Sequence, residues 1–278
     1  RPNPLPRMNF AAGIPESCRT LVVVPAMLSG IKEIDELTEA LEVRFVANRG
    51  KNIHFALLSD FTDAGTQNTP ADDVLLEHAI KRVEELRNKY AEAAPGAFMF
   101  FHRPRVWNAR EKKWMGYERK RGKLEQLNAL LRGDASHFMT VIGDQAIFSL
   151  IKYIITLDSD TRLPREAAWK MAATLAHPLN KAVYNDSKKR VTEGYTILQP
   201  RVSNSLPDAT ASFYARIHGN EPGIDPYTRI TSDVYQDLFA EGSFIGKGIY
   251  EIDMFSKALE KRFPENRILS HDLIEGAY

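Results

Sequence analysis

Short apolar runs alternate along the chain with longer stretches in which apolar residues recur every three or four positions. TLVVVPAM (20–27) is too short for a helix and fits a buried strand. After Ser29 and Gly30, Ile34, Leu37, Leu41 and Phe45 fall at helical spacing, with Gly50 as a stop. NIHFALLSDFTDA (52–64) reads as a second strand that ends at Asp60. Thr69-Pro70 with Asp72 and Asp73 opens a helix whose face is Leu76, Ile80, Val83 and Leu86. Pro95-Gly96 ends it, and AFMFFHRP (97–104) is a third strand. RVWNAREKKWMGYE (105–118) reads as a polar hairpin with Trp107 and Trp114 on its arms. A helix bounded by glycines follows at 122–133, then strands at 137–143 and 153–158, a helix at 165–176 and a strand at 194–202.

Buried strands alternating with amphipathic helices predict an α/β fold: a mostly parallel sheet with helices on both faces. Residues 1–19, with Pro2, Pro4, Pro6 and Pro15, read as an extended lead, and 20–278 as one domain. Ligands of such sheets sit outside the carboxyl ends of the strands. Asp60 and the Asp158/Asp160 pair both stand at strand ends, so both are expected at one crevice. Three readings of Asp158-Ser159-Asp160 compete. Two hard oxygen ligands suit Mg²⁺ or Mn²⁺ shared with a diphosphate. A phosphotransferase with a nucleophilic Asp of the haloacid-dehalogenase type needs D-x-D-x-T, and Thr161 comes one place too early. Aspartates also simply cap turns at strand ends.

Composition narrows the setting. Lys plus Arg is 37 and Asp plus Glu 36 in 278 residues, so charge gives no pull toward nucleic acid or an anionic membrane. The single Cys18 excludes an internal disulfide and a cysteine-based zinc site, and fits a reducing compartment. No apolar run approaches the ~20 residues of a membrane helix, so the chain itself is expected to be soluble. The seven histidines are scattered without metal-helix spacing. GSFIGKGIY (242–250) lacks the full phosphate-loop pattern, and no G-x-G-x-x-G follows the first strand. Any bound nucleotide must therefore be held by metal and side chains.

The order of pieces is more specific than any one of them. MNFAAGIPESCRTLVVVPAML, HFALLSDFTDA, ERKRGKLEQLNALLRG, YIITLDSDTRLPR, EGSFIGKGIYEIDMF and SHDLIEGAY together resemble inverting, processive family 2-like glycosyltransferases. More narrowly they resemble the glucosyltransferase domain of bacterial cyclic β-1,2-glucan synthases, over essentially the whole chain. The resemblance implies a GT-A-type, Rossmann-like fold and transfer of glucose from UDP-glucose to a growing β-glucan. It implies that Asp60 reads the uracil ring, that Asp158 and Asp160 hold UDP through Mg²⁺ or Mn²⁺, and that Lys123 and Asn128 lie near the nucleotide. It places Gly246, Lys247 and Gly248 beside the acceptor sugar; Glu241, just ahead of that loop, is positioned to orient an acceptor hydroxyl. Asp272 would be the general base. Inversion needs only a base on one side of the anomeric carbon and charge neutralisation on the other. The parent would be a membrane protein, with this domain on the cytoplasmic face of the bacterial inner membrane.

One departure stands out. Relatives carry Q-x-x-R-W after the base, and here Trp107, Trp114 and Trp169 follow Val106, Lys113 and Ala168. The proline-rich lead and the stop at Tyr278 fit an excised piece of a longer chain. A piece lacking that motif is expected to turn over poorly. The competing expectation is a nucleotide-sugar-binding module without activity.

Overall fold

The computed structural model describes residues 5–200, 244–260 and 262. At its centre is a seven-stranded sheet in the order β10-β11-β7-β1-β2-β3-β6. Four strands in its middle run parallel: β7 (Tyr153–Thr156), β1 (Thr20–Leu28), β2 (Ile53–Phe61) and β3 (Phe98–Arg103). Antiparallel strands flank them: β6 (Thr140–Ile142) on β3, and β11 (Gly248–Glu251) on β7, with β10 (Ile197–Leu198) outside it. The architecture is Rossmann-like, as the alternating pattern predicts.

Burial on β1 explains the two layers. Alternate side chains of a strand point to opposite faces. Val22 and Val24 join a core with α1 (Ile31–Ala47), α2 (Asp72–Lys89) and α4 (Ala167–Leu175). Leu21 and Val23 join the other core, against α3 (Arg119–Leu130) and α5 (Ile252–Leu259). With both faces covered, β1 has no polar face to present, which is why it reads as a continuous apolar run. On the first face Phe45 of α1 packs at 5.7 Å from Phe55, 4.8 Å from Phe98 and 4.7 Å from Tyr90, knitting two helices to two strands. Burying each such ring contributes roughly 1.5–3 kcal/mol.

Several elements depart from the pattern. Phe10, Ile14 and Cys18 are buried in the core under α1, α2 and α4, so the lead is packed down from Phe10 onward. α3 begins at Arg119, three residues ahead of the expected glycine boundary. Gly122 lies inside the helix, at a point where a Cβ would meet the Tyr117 carbonyl oxygen at 2.1 Å. The long strand expected at 137–143 shortens to β6, and that at 194–202 shortens to the two residues of β10 among the described residues. The hairpin of β8 (Val183–Asn185) and β9 (Arg190–Glu193) was not foreseen. β4 (Val106–Asn108) and β5 (Lys113–Met115) form the expected hairpin, with Trp107 opposite Trp114. No helix among the described residues is long and apolar enough to cross a membrane.

Candidate functional site

Asp158 lies two residues beyond β7, where the chain turns: Thr161 N–H donates to the Asp158 carbonyl at 3.0 Å. The turn is held from below by Arg44 of α1, a side chain in a residue only 3% exposed. Its Nε donates to Thr161 O at 3.0 Å, and its Nη2 to Ser159 O at 2.6 Å and Thr161 O at 2.7 Å. Burial pulls the Arg44 guanidinium below its ordinary pKa, and the nearby Asp160 charge opposes that. One arginine thus fixes the backbone that carries both aspartates. Sequence reading missed it, although an Arg three residues after Leu41 and beside Phe45 sits within the apolar stripe of α1.

Two ammonium groups converge on Asp158. Lys120 Nζ donates to Oδ1 at 2.6 Å and also to Gly246 O at 2.7 Å. Lys247 Nζ is 2.8 Å from Oδ2. Burial pushes the Asp158 carboxyl up, but the hydrogen bonds from Lys120 and Lys247 outweigh it and hold it below its ordinary value. Strand pairing puts Lys247 there: Gly248 of β11 is opposite Thr156 of β7. The flanking glycines are required. Gly246 has φ of 73°, and a Cβ on Gly248 would lie 2.4 Å from Leu198 O. Asp160, by contrast, is exposed, with a 3.4 Å contact from the Thr161 hydroxyl.

Asp60 sits on the far side of β1. Strands β7 and β2 flank β1, so they lie two strand spacings apart, about 9.5 Å. Asp60 is buried and takes a bidentate pair from Arg103 (Nε and Nη2, both 2.8 Å), with Lys123 Nζ at 3.3 Å from Oδ2. Gly116 presses on it: a Cβ there would stand 2.0 Å from Asp60 Oδ2. Lys123 also donates to Ala26 O, and burial pulls its ammonium down while Asp60 opposes. Of the two lysines on this helix, Lys123 therefore belongs with Asp60, and Lys120, which the sequence reading passed over, belongs with Asp158. Asn128 is buried and accepts from the Tyr250 hydroxyl at 3.0 Å, joining α3 to β11. Glu241 and Asp272 lie outside the described residues.

The donor set suits a hard divalent cation. Asp158 and Asp160 offer two carboxylates one residue apart at the sheet's carboxyl edge, and the two ammonium groups on Asp158 would have to move aside for a cation to reach it. Among the described residues no group of three or more His, Cys, Asp or Glu could hold a metal, so phosphate oxygens and water would complete the shell.

No protein-family model matches the chain. The chain is 46% identical, over 280 aligned positions and its whole length, to the cyclic beta-(1,2)-glucan synthase NdvB of Rhizobium meliloti (strain 1021). It spans 10% of the length of that curated relative.

Proposed function

From the premise that this chain is homologous along its whole length to a segment of a cyclic β-(1,2)-glucan synthase, we propose that it is the donor-binding part of a glycosyltransferase acting in β-glucan synthesis. Its donor in this reading is UDP-glucose and its acceptor a β-glucan chain. The observation that carries the reading is the convergence of Lys120 and Lys247 on Asp158.

Lys120 and Lys247 share the single Asp158 carboxylate, which cannot neutralise both ammonium groups, so a group of high negative charge would be drawn to them. A diphosphate is such a group. Asp158 and Asp160 would hold Mg²⁺ or Mn²⁺, which when bound neutralises charge on the leaving diphosphate. Lys120 and Lys247 then turn from Asp158 toward the phosphate oxygens, as mobile point charges suited to that role. Arg44 holds the turn rigid, so that the carboxylates do not reorganise as charge develops. On the other side of β1, the Asp60–Arg103–Lys123 cluster forms the polar floor beside the nucleobase. Asp272 would accept the proton of the attacking hydroxyl.

UDP release from UDP-glucose in the presence of a β-1,2-linked gluco-oligosaccharide, measured on a chain extended to include the Q-x-x-R-W motif, tests the reading. The expected result is metal-dependent release that is abolished in Asp158→Asn. Metal-dependent UDP binding without release would instead mark the chain as a nucleotide-sugar-binding module.

A further inference from the structure

A second concavity lies away from the aspartates. A cavity of about 450 Å³ opens between the β4–β5 hairpin and α3. Its wall includes Trp107, Met115, Tyr117, Glu125, Gln126 and His137. By the 100° step of an α-helix, Ala129, which also lines it, is about 180° around α3 from Lys120. The cavity and the Asp158 cluster therefore occupy opposite sides of one helix.

The lining has a definite chemistry. Trp107 is 51% exposed although its partner Trp114 packs against it, ring centroids 5.8 Å apart. The hairpin uses the pair for its own stability, and the indole of Trp107 also lines the cavity. Met115 is fully buried and gives an apolar floor. The rim is polar: Glu125 and His137 are exposed, and Gln126 is half-buried. A broad aromatic face with carboxylate, amide and imidazole groups around it matches a sugar ring. Such a ring offers apolar C–H faces and an equatorial belt of hydroxyls. The volume falls in the range of small-molecule clefts.

The cleft is also built into the fold. Ala64 and Trp114 exchange backbone hydrogen bonds of 2.9 and 3.0 Å, which tie the hairpin to the loop after β2. Gln126 Oε1 accepts from Arg103 Nη1 at 2.6 Å, and the same guanidinium holds Asp60. The hairpin leaves β3 at its carboxyl end, the same edge of the sheet as Asp60.

We propose that this cleft is a separate carbohydrate subsite that holds a segment of glucan chain, with one sugar ring stacked on Trp107. The identity of the sugar rests on the glycosyltransferase reading; the cleft itself does not. It would keep a growing chain attached to the protein while its end is at the Asp158 side.

The test is a titration of the chain with a linear β-1,2-linked gluco-oligosaccharide, read by ligand-observed NMR, with UDP plus Mn²⁺ titrated in parallel. The expected result is saturable oligosaccharide binding, about fivefold to tenfold weaker in Trp107→Ala and partly restored in Trp107→Phe. UDP affinity is unchanged in both variants, which also verifies their folding. Absence of saturable binding, or equal binding in Trp107→Ala, overturns the subsite. UDP binding without oligosaccharide binding leaves the donor site standing and removes the cleft. Oligosaccharide binding through Trp107 without UDP binding does the reverse.

Discussion

Lys120 Nζ lies 2.6 Å from Oδ1 of Asp158, and through that contact the first turn of α3 is fastened to the end of β7. The pair is part-exposed, so its contribution to stability is small. Its meaning is electrostatic: a cation is held where the proposed diphosphate arrives.

Lys120→Met should therefore weaken UDP binding far more than it weakens the fold. Loss of one charge-assisted contact of roughly 1.5–3 kcal/mol lowers affinity by about 10- to 100-fold. Calorimetric titration of UDP with Mn²⁺ checks this. Unchanged affinity would remove Lys120 from the site.

Arg44→Met should be costly to the fold itself. It strips donors from the part-buried turn carbonyls of Ser159 and Thr161, at up to about 1–3 kcal/mol for each group that water does not reach. Urea denaturation should show a loss of roughly 2–5 kcal/mol, with little recovery in Arg44→Lys, whose single ammonium cannot span both carbonyls. A loss below about 1 kcal/mol would mean the turn holds its shape without the clamp.

The Asp60–Arg103 pair makes a different prediction. Removing one partner of a buried pair strands the other, at about 3–5 kcal/mol. Arg103→Met should cost that much, and Asp60→Asn with Arg103→Met should recover a substantial part of it. A double-mutant cycle on unfolding free energy reads the coupling. Additive losses would show that Lys123 alone satisfies Asp60.

His102 sets an acid limb. Burial pulls its imidazole down to about 4, and Asp60 opposes that. Its Nδ1 is 2.8 Å from the Ser59 hydroxyl, and its buried Nε2 has no hydrogen-bond partner among the described residues. The native state thus keeps His102 neutral where the unfolded chain has begun to protonate. Stability from this group is full above the unfolded value of 6.5 and falls as pH drops toward 4, by about 3 kcal/mol in all. Denaturation series between pH 7.5 and 4 should show that slope, and it should flatten in His102→Asn.

The parallel centre of the sheet was legible because β1, β2, β3 and β7 are buried on both faces, which leaves a plain apolar run in the sequence. β11 was hidden: its four residues, GIYE, begin on the last glycine of FIGKG (244–248) and carry no turn signal of their own. That omission had a consequence at the site. Without β11 beside β7, nothing in the sequence placed Lys247 against Asp158. The aspartates themselves were visible because the apolar run of β7 stops just before them and the order of the surrounding motifs gave the pair a context. The residues that fix them were not. Arg44 is 114 positions from Asp158, and Lys120 shares its basic patch with Lys123, so only tertiary structure tells the two lysines apart.

In the proposed function Asp158 and Asp160 form a metal-dependent diphosphate site. Thermal unfolding with UDP, with Mn²⁺ or with EDTA, on the parent sequence and on Asp160→Asn, tests it most directly. At a UDP concentration about 100 times Kd, binding adds about 2.7 kcal/mol of stability. For a chain of this size that is a rise in Tm on the order of 5–10 °C. The account predicts that rise only with Mn²⁺ and only when Asp160 is intact. A rise of equal size in EDTA or in Asp160→Asn, or no rise at all, would contradict it.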